Sequence, residues 1–377
     1  MQSVVFFSFF LLFLVSSVKC YLMNASPTKL LEIINDVVLK DNQLLMQTSG
    51  KDIINVTNLN LLIESLKSND GNQIQQVLGI TTTNDSEILH HFFKYISINI
   101  FKFDEHFVDP FIKHKYEYLM KSMRNIEDIL ARINDIDEII DNSEMLNILL
   151  QISLWSTNIL NPIPEIIEGT VQAKKKKDLF FHELKLRKSK ININDSNKII
   201  DILVNKDTNK DSIIFITGET GADIISDFLF AYMLLEKKLI KNVIFCTKTY
   251  PHQMKGVTAA DMFGIIDFLS DPKSSDVWAI RAFGTYIRQK IRFTGEMKVV
   301  QDFHFTRSHL PLLDIDSINN NEILKNTLPR TKLIISKNYE NYNRIKLMED
   351  NISLLKTPIA AITSLDSDSN GVIKLFT

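Results

Sequence analysis

Four strand-like runs in the second half of the chain lead into segments whose residue types could do chemistry. The first segment is Gly218-Glu219-Thr220-Gly221-Ala222-Asp223. Two glycines permit a tight turn, and a helix opening behind them would offer backbone N–H groups to an anion or a carboxylate. The spaced Gly-Lys-Ser/Thr of a Walker A loop is absent. Asp223 in the first helical turn can serve the helix dipole or a ligand, and Asp227, one turn later, can hold the loop. The second segment is Lys248-Thr249-Tyr250-Pro251, continuing to Gly256 and Asp261. Lys248 could reach a phosphate as a point charge, or be a solvated loop lysine. Thr258 and Asp261 have capping-box spacing, and capping is the default role for that pair.

Two further segments, Lys337-Asn338-Tyr339-Glu340-Asn341-Tyr342 and Thr363-Ser364-Leu365-Asp366, contain no evident catalytic set, although Lys337 is a candidate substrate contact. The eight histidines show no HExxH or comparable metal spacing. Cys246 falls inside an apolar run and reads as a core thiol, so no Cys/His nucleophile pair emerges.

The elements that must position these segments follow from pattern. Ile213–Thr217, Asn242–Thr247, Lys332–Ser336 and Ile359–Ser364 read as strands; Ala222–Leu235 and Ala259–Leu269 read as helices. That alternation predicts an α/β fold of βαβ units, a mostly parallel sheet sandwiched by helices, with ligands at the strand C-terminal ends. Residues 26 to about 160 are helical in pattern: Leu30, Ile33, Ile34, Val37 and Val38 recur at a 3–4 spacing, as do Leu59, Leu62, Ile63 and Leu66. Met123, Ile126, Ile129 and Leu130 repeat it, and Asn142 and Ser143 are candidate caps for a helix running to Trp155. Lys174–Lys190, opening with four lysines, is a basic tract that reads as a solvated hinge, with phosphate-rich or acidic surfaces as its other use. The division expected is therefore a leader over 1–20, an N-terminal all-helical subdomain over 21–172, a basic linker over 173–192 and an α/β domain over 193–377.

With 377 residues and a net charge of −2, the chain can bury a large core and has no global pull toward nucleic acid. Its first 20 residues stand apart. Val4–Val15 is an apolar run broken only by Ser8 and followed by small and polar residues, as in a cleavable secretory leader. Cleavage after Cys20 or after Ser17 suits it; left uncleaved, the run would be an anchor. The expectation is a secreted or secretory-lumen protein with no membrane attachment after cleavage. Only Cys20 and Cys246 exist, so loss of the leader leaves no internal disulfide. Sequons at Asn24, Asn55, Asn84, Asn194 and Asn351 are candidate glycan sites.

Several motifs carry a resemblance. Leu149-Leu150-Gln151-Ile152-Ser153-Leu154-Trp155, Ile193-Asn194-Asp195-Ser196, the gapless stretch Phe215–Leu229 ending near Asp227, Val243–Asp261 with Lys248, Pro251 and Asp261 in register, Tyr342, and Pro358–Leu365 together resemble the damage-control phosphatases, also known as acidic residue methyltransferases. The resemblance runs from about Ser143 to the C-terminus. It implies hydrolysis of phosphate monoesters such as sugar phosphates with a divalent ion, Mn²⁺ or similar, held by an Asp–Asn pair at the first strand end and an Asp at the second. Carried over by position, those ligands fall on Gly218, Glu219 and Gly256. The family's Gly-Asp falls on Asn338 and Tyr339, its Arg on Asn343, its Arg-Thr-x-Lys set on Thr363-Ser364-Leu365-Asp366, and the Asn after the Trp on Thr157.

Two expectations follow. One is a secreted phosphatase-like protein, catalytically inactive through loss of metal and phosphate residues, with no cofactor, binding a protein or a small phosphorylated ligand. The other is an active metal-dependent phosphomonoesterase with a rebuilt site, in which Glu219, Asp223 and Asp261 supply new carboxylates and Lys248 and Lys337 bind substrate.

Overall fold

The computed structural model describes residues 26–39, 55–81, 88, 91–92, 94–100, 109, 111–130, 133–156, 173–205, 209–249, 255–273, 278–302, 305, 312–313, 318, 321–364 and 370–377. The leader and the sequons at Asn24 and Asn84 lie outside them. So do Thr157, Pro251, Leu365 and Asp366. The chain divides into two compact units, one of residues 1–113 with 250–254 and 309–311, the other of the remainder.

The first unit is helical where described. It holds helices α1 (Pro27–Ile33), α2 (Val56–Ser68) and α3 (Gly71–Leu78), with π-helical turns at Ile34–Leu39, directly after α1, and at Ile96–Ile100. Of the apolar positions read from spacing, Leu30, Ile34, Val38, Leu59, Leu62 and Leu66 are buried. Caps set the ends: Asn55 accepts from the Asn58 N–H at the start of α2, and Asn69 closes it in the left-handed region at φ 56°.

In the second unit lie α4 (Ile112–Leu130, from His114 onward), α5 (Ile133–Asp137), α6 (Asn142–Trp155) and α7 (Ala173–Lys188). The α6 cap is Asp141, whose carboxylate accepts from the Ser143 N–H, one residue before the positions the sequence suggests. The stretch read as a linker, 173–192, is inside this unit as α7 and the start of the next strand, and Leu184 of α7 is buried in the core.

Then come β1 (Ile191–Asn194), α8 (Ser196–Val204), β2 (Ser212–Ile216), α9 (Ala222–Glu236), β3 (Asn242–Lys248), α10 (Ala259–Ser270), α11 (Trp278–Gln289), β4 (Met297–Asp302), α12 (Glu322–Thr327), β5 (Thr331–Lys337), α13 (Tyr339–Lys346), β6 (Ile359–Ser364) and β7 (Gly371–Phe376). They form a seven-stranded sheet in the order β1-β7-β6-β5-β2-β3-β4. Strands β2 to β6 are mutually parallel; β7 runs antiparallel to β6 and pairs in parallel with β1. This is the expected α/β fold. Strand alternation sends Ile213, Phe215, Val243, Phe245, Leu333 and Ile335 into a core shared with α6, α8 and α9. Ile214, Ile216, Ile244, Cys246 and Ile334 face the opposite core with Tyr342 and Ile345 of α13.

The central strands β2, β3 and β5 are buried nearly throughout, which is why they read clearly as apolar runs. The two edge strands do not: β1 is largely exposed, and in β4 only Met297 and Val300 are buried. Among the described residues, no helix is long and apolar enough to cross a membrane.

Candidate functional site

The C-terminal ends of β2, β3 and β5 meet as the parallel topology requires. After β2, Thr217 turns back on β3, its N–H and hydroxyl both donating to the Cys246 carbonyl at 3.1 and 3.0 Å. The loop then passes through Gly221, whose φ of 80° and ψ of −135° favour glycine, into α9. This geometry places Asp223 in the first turn of α9, where its carboxylate folds back over the loop. Asp223 Oδ2 accepts from the Glu219 N–H at 3.0 Å. Its Oδ1 accepts from the Ser156 hydroxyl at 3.0 Å and meets Lys337 Nζ at 2.6 Å.

Gly218 is the position where this packing decides most. A Cβ there would stand 2.6 Å from Asp223 Oδ2 and 3.0 Å from Lys337 Cβ. A carboxylate side chain at 218 therefore has no room while Asp223 keeps its place. Glycine at this position is a packing requirement of the present arrangement.

The loop after β3 is stitched to the loop after β2. Thr220 N–H donates to the Lys255 carbonyl at 2.9 Å, and Glu219 pairs with Gly256 in an isolated antiparallel bridge. Lys248 N–H donates to the Val257 carbonyl at 2.9 Å. The structure thus brings Glu219 and Gly256 together beside Gly218. Asp261 is used elsewhere. It completes a capping box with Thr258 at the start of α10, accepting from the Thr258 N–H and hydroxyl at 2.8 Å each. The same Oδ2 takes Lys115 Nζ of α4 at 2.6 Å. Capping, the default reading of its spacing, is the role the structure displays.

Lys337, at the end of β5, points inward and is 2% exposed. Its ammonium sits between two carboxylates, Asp223 at 2.6 Å and Asp227 at 3.3 Å. It donates to the Ser153 carbonyl and hydroxyl at 2.7 and 2.9 Å, and to the Ser226 hydroxyl at 3.2 Å. Burial alone would lower this lysine's pKa; Asp223 and then Asp227 reverse that and leave it raised. Asp227 is fully buried, and among the described residues neither of its oxygens receives a well-directed hydrogen bond. Burial is the chief reason its carboxyl is pushed up to about 7, against the pull of Lys337 and with Asp223 adding to the rise. With so many partners, Lys337 acts as an internal counter-ion and is not placed as a substrate contact.

Nearer the surface are two more ion pairs. Lys255 Nζ lies 3.3 Å from Glu219 Oε2 and stacks over the Tyr118 ring at 4.4 Å. Lys248, 5% exposed, lies 3.6 Å from Glu340 Oε2. Burial raises the Glu219 carboxyl, Lys255 opposes the rise, and Asp223 adds to it. The Tyr118 hydroxyl is held well above its ordinary value by burial, Glu219 and Asp223. After β5, Asn338 adopts φ 74°, ψ 163°, a conformation that strains any residue but glycine, and its carbonyl oxygen caps α13 by accepting from the Asn341 N–H. Asn341 ties the strand ends, donating to the Lys337 carbonyl at 2.8 Å and to the Thr217 carbonyl at 3.4 Å.

A divalent ion held by this loop pair would need several oxygen donors facing one point. The residues present do not fit that need. Gly218 and Gly256 have no side chains, Asp223 is spent on Lys337, Ser156 and the Glu219 amide, and Glu219 faces Lys255. Among the described residues, no three His, Cys, Asp or Glu side chains converge on a metal position. The residues sequence reasoning missed are those that pair with or hydrogen-bond the site's charged groups: Lys115, Tyr118, Ser156, Ser226 and Lys255. Nothing local marks them, because each belongs to the site only through tertiary packing. Ser153 lies inside the segment ending at Trp155, the one hint available.

The family model described as the damage-control phosphatase ARMT1-like domain matches residues 86–370, about three-quarters of the chain. A solved DUF89 family protein from Pyrococcus horikoshii is similar at 15% identity and a TM-score of 0.49, covering 92% of this chain and 98% of that one. No curated protein matches the chain.

Proposed function

We propose, from the premise that the chain belongs to the ARMT1-like damage-control phosphatase family, that it is a member without metal-dependent phosphatase activity that serves as a binding module. One observation carries this reading: Asp223 Oδ2 lies 2.6 Å from where a Cβ of residue 218 would be, and Asp223 itself is ion-paired to Lys337. The space for the first ligand side chain is filled by a carboxylate that is already neutralised. Loss of the second ligand at Gly256 adds to this, since phosphoryl transfer relies on charge stabilisation from the ion and its neighbouring cations. Of those cations, the Arg-Thr-x-Lys set has become Thr363-Ser364-Leu365-Asp366. The test is turnover of p-nitrophenyl phosphate by the purified chain in Mn²⁺ and in Co²⁺. The expected result is no turnover above buffer in either; metal-dependent turnover that Glu219→Gln abolishes would establish the rebuilt-site reading in its place.

The chain is also proposed to enter the secretory route, on the strength of the Val4–Val15 apolar run and the small and polar residues behind it. N-terminal sequencing of material recovered from the medium of expressing eukaryotic cells should begin just after Ser17 or Cys20. Recovery in the cytosol with Met1 retained would remove this part of the reading.

A further inference from the structure

The sequons have no part in the strand-end site, and the structure separates the two that it describes most fully. Asn194-Asp195-Ser196 is folded in on itself. Asn194 Oδ1 accepts from both the Ser196 N–H at 3.1 Å and the Ser196 hydroxyl at 2.5 Å, and Ser196 is buried. The middle residue, Asp195, accepts from the Leu375 N–H at 3.0 Å and pairs with Lys198 at 2.8 Å. The Asn194 carbonyl oxygen, the Asp195 carboxylate and the Ser196 hydroxyl are all engaged there, and the third residue of the sequon is buried.

Asn55-Val56-Thr57 differs at its second and third residues, which are open where Ser196 is buried, while Asn55 itself is half-buried. Asn55 is the N-cap of α2, and only its carbonyl oxygen is used, accepting from the Asn58 N–H at 3.2 Å. Among the described residues no acceptor takes its Nδ2. Val56 is 52% exposed and Thr57 is exposed beside it. A side-chain amide substituted on nitrogen keeps its carbonyl oxygen. The cap would therefore survive the modification, and the new group would extend from the open side of the helix start.

We infer that Asn55 is an N-glycosylation site, its Nδ2 carrying an oligosaccharide. In the transfer, a bond forms between Asn55 Nδ2 and the anomeric carbon of a lipid-pyrophosphate-linked oligosaccharide. The anomeric carbon–oxygen bond breaks, the lipid pyrophosphate leaves with the electron pair, and the amide gives up one proton. The inference rests on the export reading, because the donor is found only in the secretory lumen.

The test is translation of the full chain with rough microsomes, scored for protease protection and for an endoglycosidase-sensitive mobility step. Three chains are compared: the wild type, Asn55→Asp, which keeps a capping oxygen and loses the amide nitrogen, and Thr57→Ala, which breaks the sequon alone. The expected result is a protected chain that loses one glycan step in both variants. A protected chain whose variants run like the wild type overturns the inference and leaves export standing. An unprotected chain counts against export, and the same three chains are then run behind a heterologous leader. There the Asn55-dependent step is still expected, and its absence overturns the glycan site on its own.

Discussion

Strand β5 carries a buried lysine at each end, and the two are held in opposite ways. Lys332, at the N-terminal end, donates to three backbone carbonyls, those of Leu203, Asn205 and Leu239, at 3.3, 2.7 and 3.1 Å. These lie at or just beyond the C-terminal ends of α8 and α9, where unpaired carbonyls and the helix dipoles favour a cation. Lys337, at the C-terminal end, has two carboxylates and two serines around it, and one of the carboxylates is poorly hydrogen-bonded. The first lysine closes helix ends and does nothing a fold would not need. The second is paired with two buried carboxylates, at the edge where parallel sheets keep their ligands. On the proposed reading, the strand-end cluster is a reaction site turned into a structural one.

Breaking the charged cluster should have the largest effect. Lys337→Met leaves Asp223 and Asp227 buried without their cation and should lower unfolding stability by about 3–5 kcal/mol in a urea titration. Lys332→Met removes a cation from those backbone carbonyls and should lower it by about 2 kcal/mol in the same titration. Equal losses would erase the distinction between the two ends of β5.

Asp227 sharpens the comparison through pH. Its folded-state carboxyl is raised to about 7, so the folded chain binds this proton more tightly than the unfolded chain does. The stability it contributes is complete below the unfolded carboxylate value of about 4 and is lost as pH rises through about 7. Melting temperature should therefore fall between about pH 4 and about pH 7, and Asp227→Asn should flatten that fall. A slope unchanged in the variant would show that the proton is held elsewhere. The smallest effect belongs to Thr258→Ala. It removes one half of the capping box of α10 and should lower stability by about 1 kcal/mol, leaving the pH slope intact.

Much of this was legible in the residues. The buried central strands announced themselves as apolar runs, and Thr258–Asp261 announced a capping box by spacing alone. The edge strands β1 and β4 lacked that signal because half or more of each faces solvent. The three glycine and glutamate positions at the strand ends were found by their place behind β2 and β3. What spacing could not show is the direction of side chains. Asp261 turns to Lys115 and Lys337 turns inward to Asp223, so two residues suited by type to a site are bound up in packing. Lys255 and Tyr118, which cover Glu219, come from segments with no local mark of function.

On the proposed reading, Asp223 and Lys337 have taken over the space and charge balance of the metal position. That reading is tested most directly by titrating Mn²⁺ into the wild type, Gly218→Asp/Gly256→Asp and Gly218→Asp/Gly256→Asp/Asp223→Ala chains, reading the free ion by electron paramagnetic resonance. The account predicts no stoichiometric binding in the first two, because Asp223 still fills the place of a side chain at 218, and binding only in the third. One tightly bound ion per chain in the wild type would contradict it.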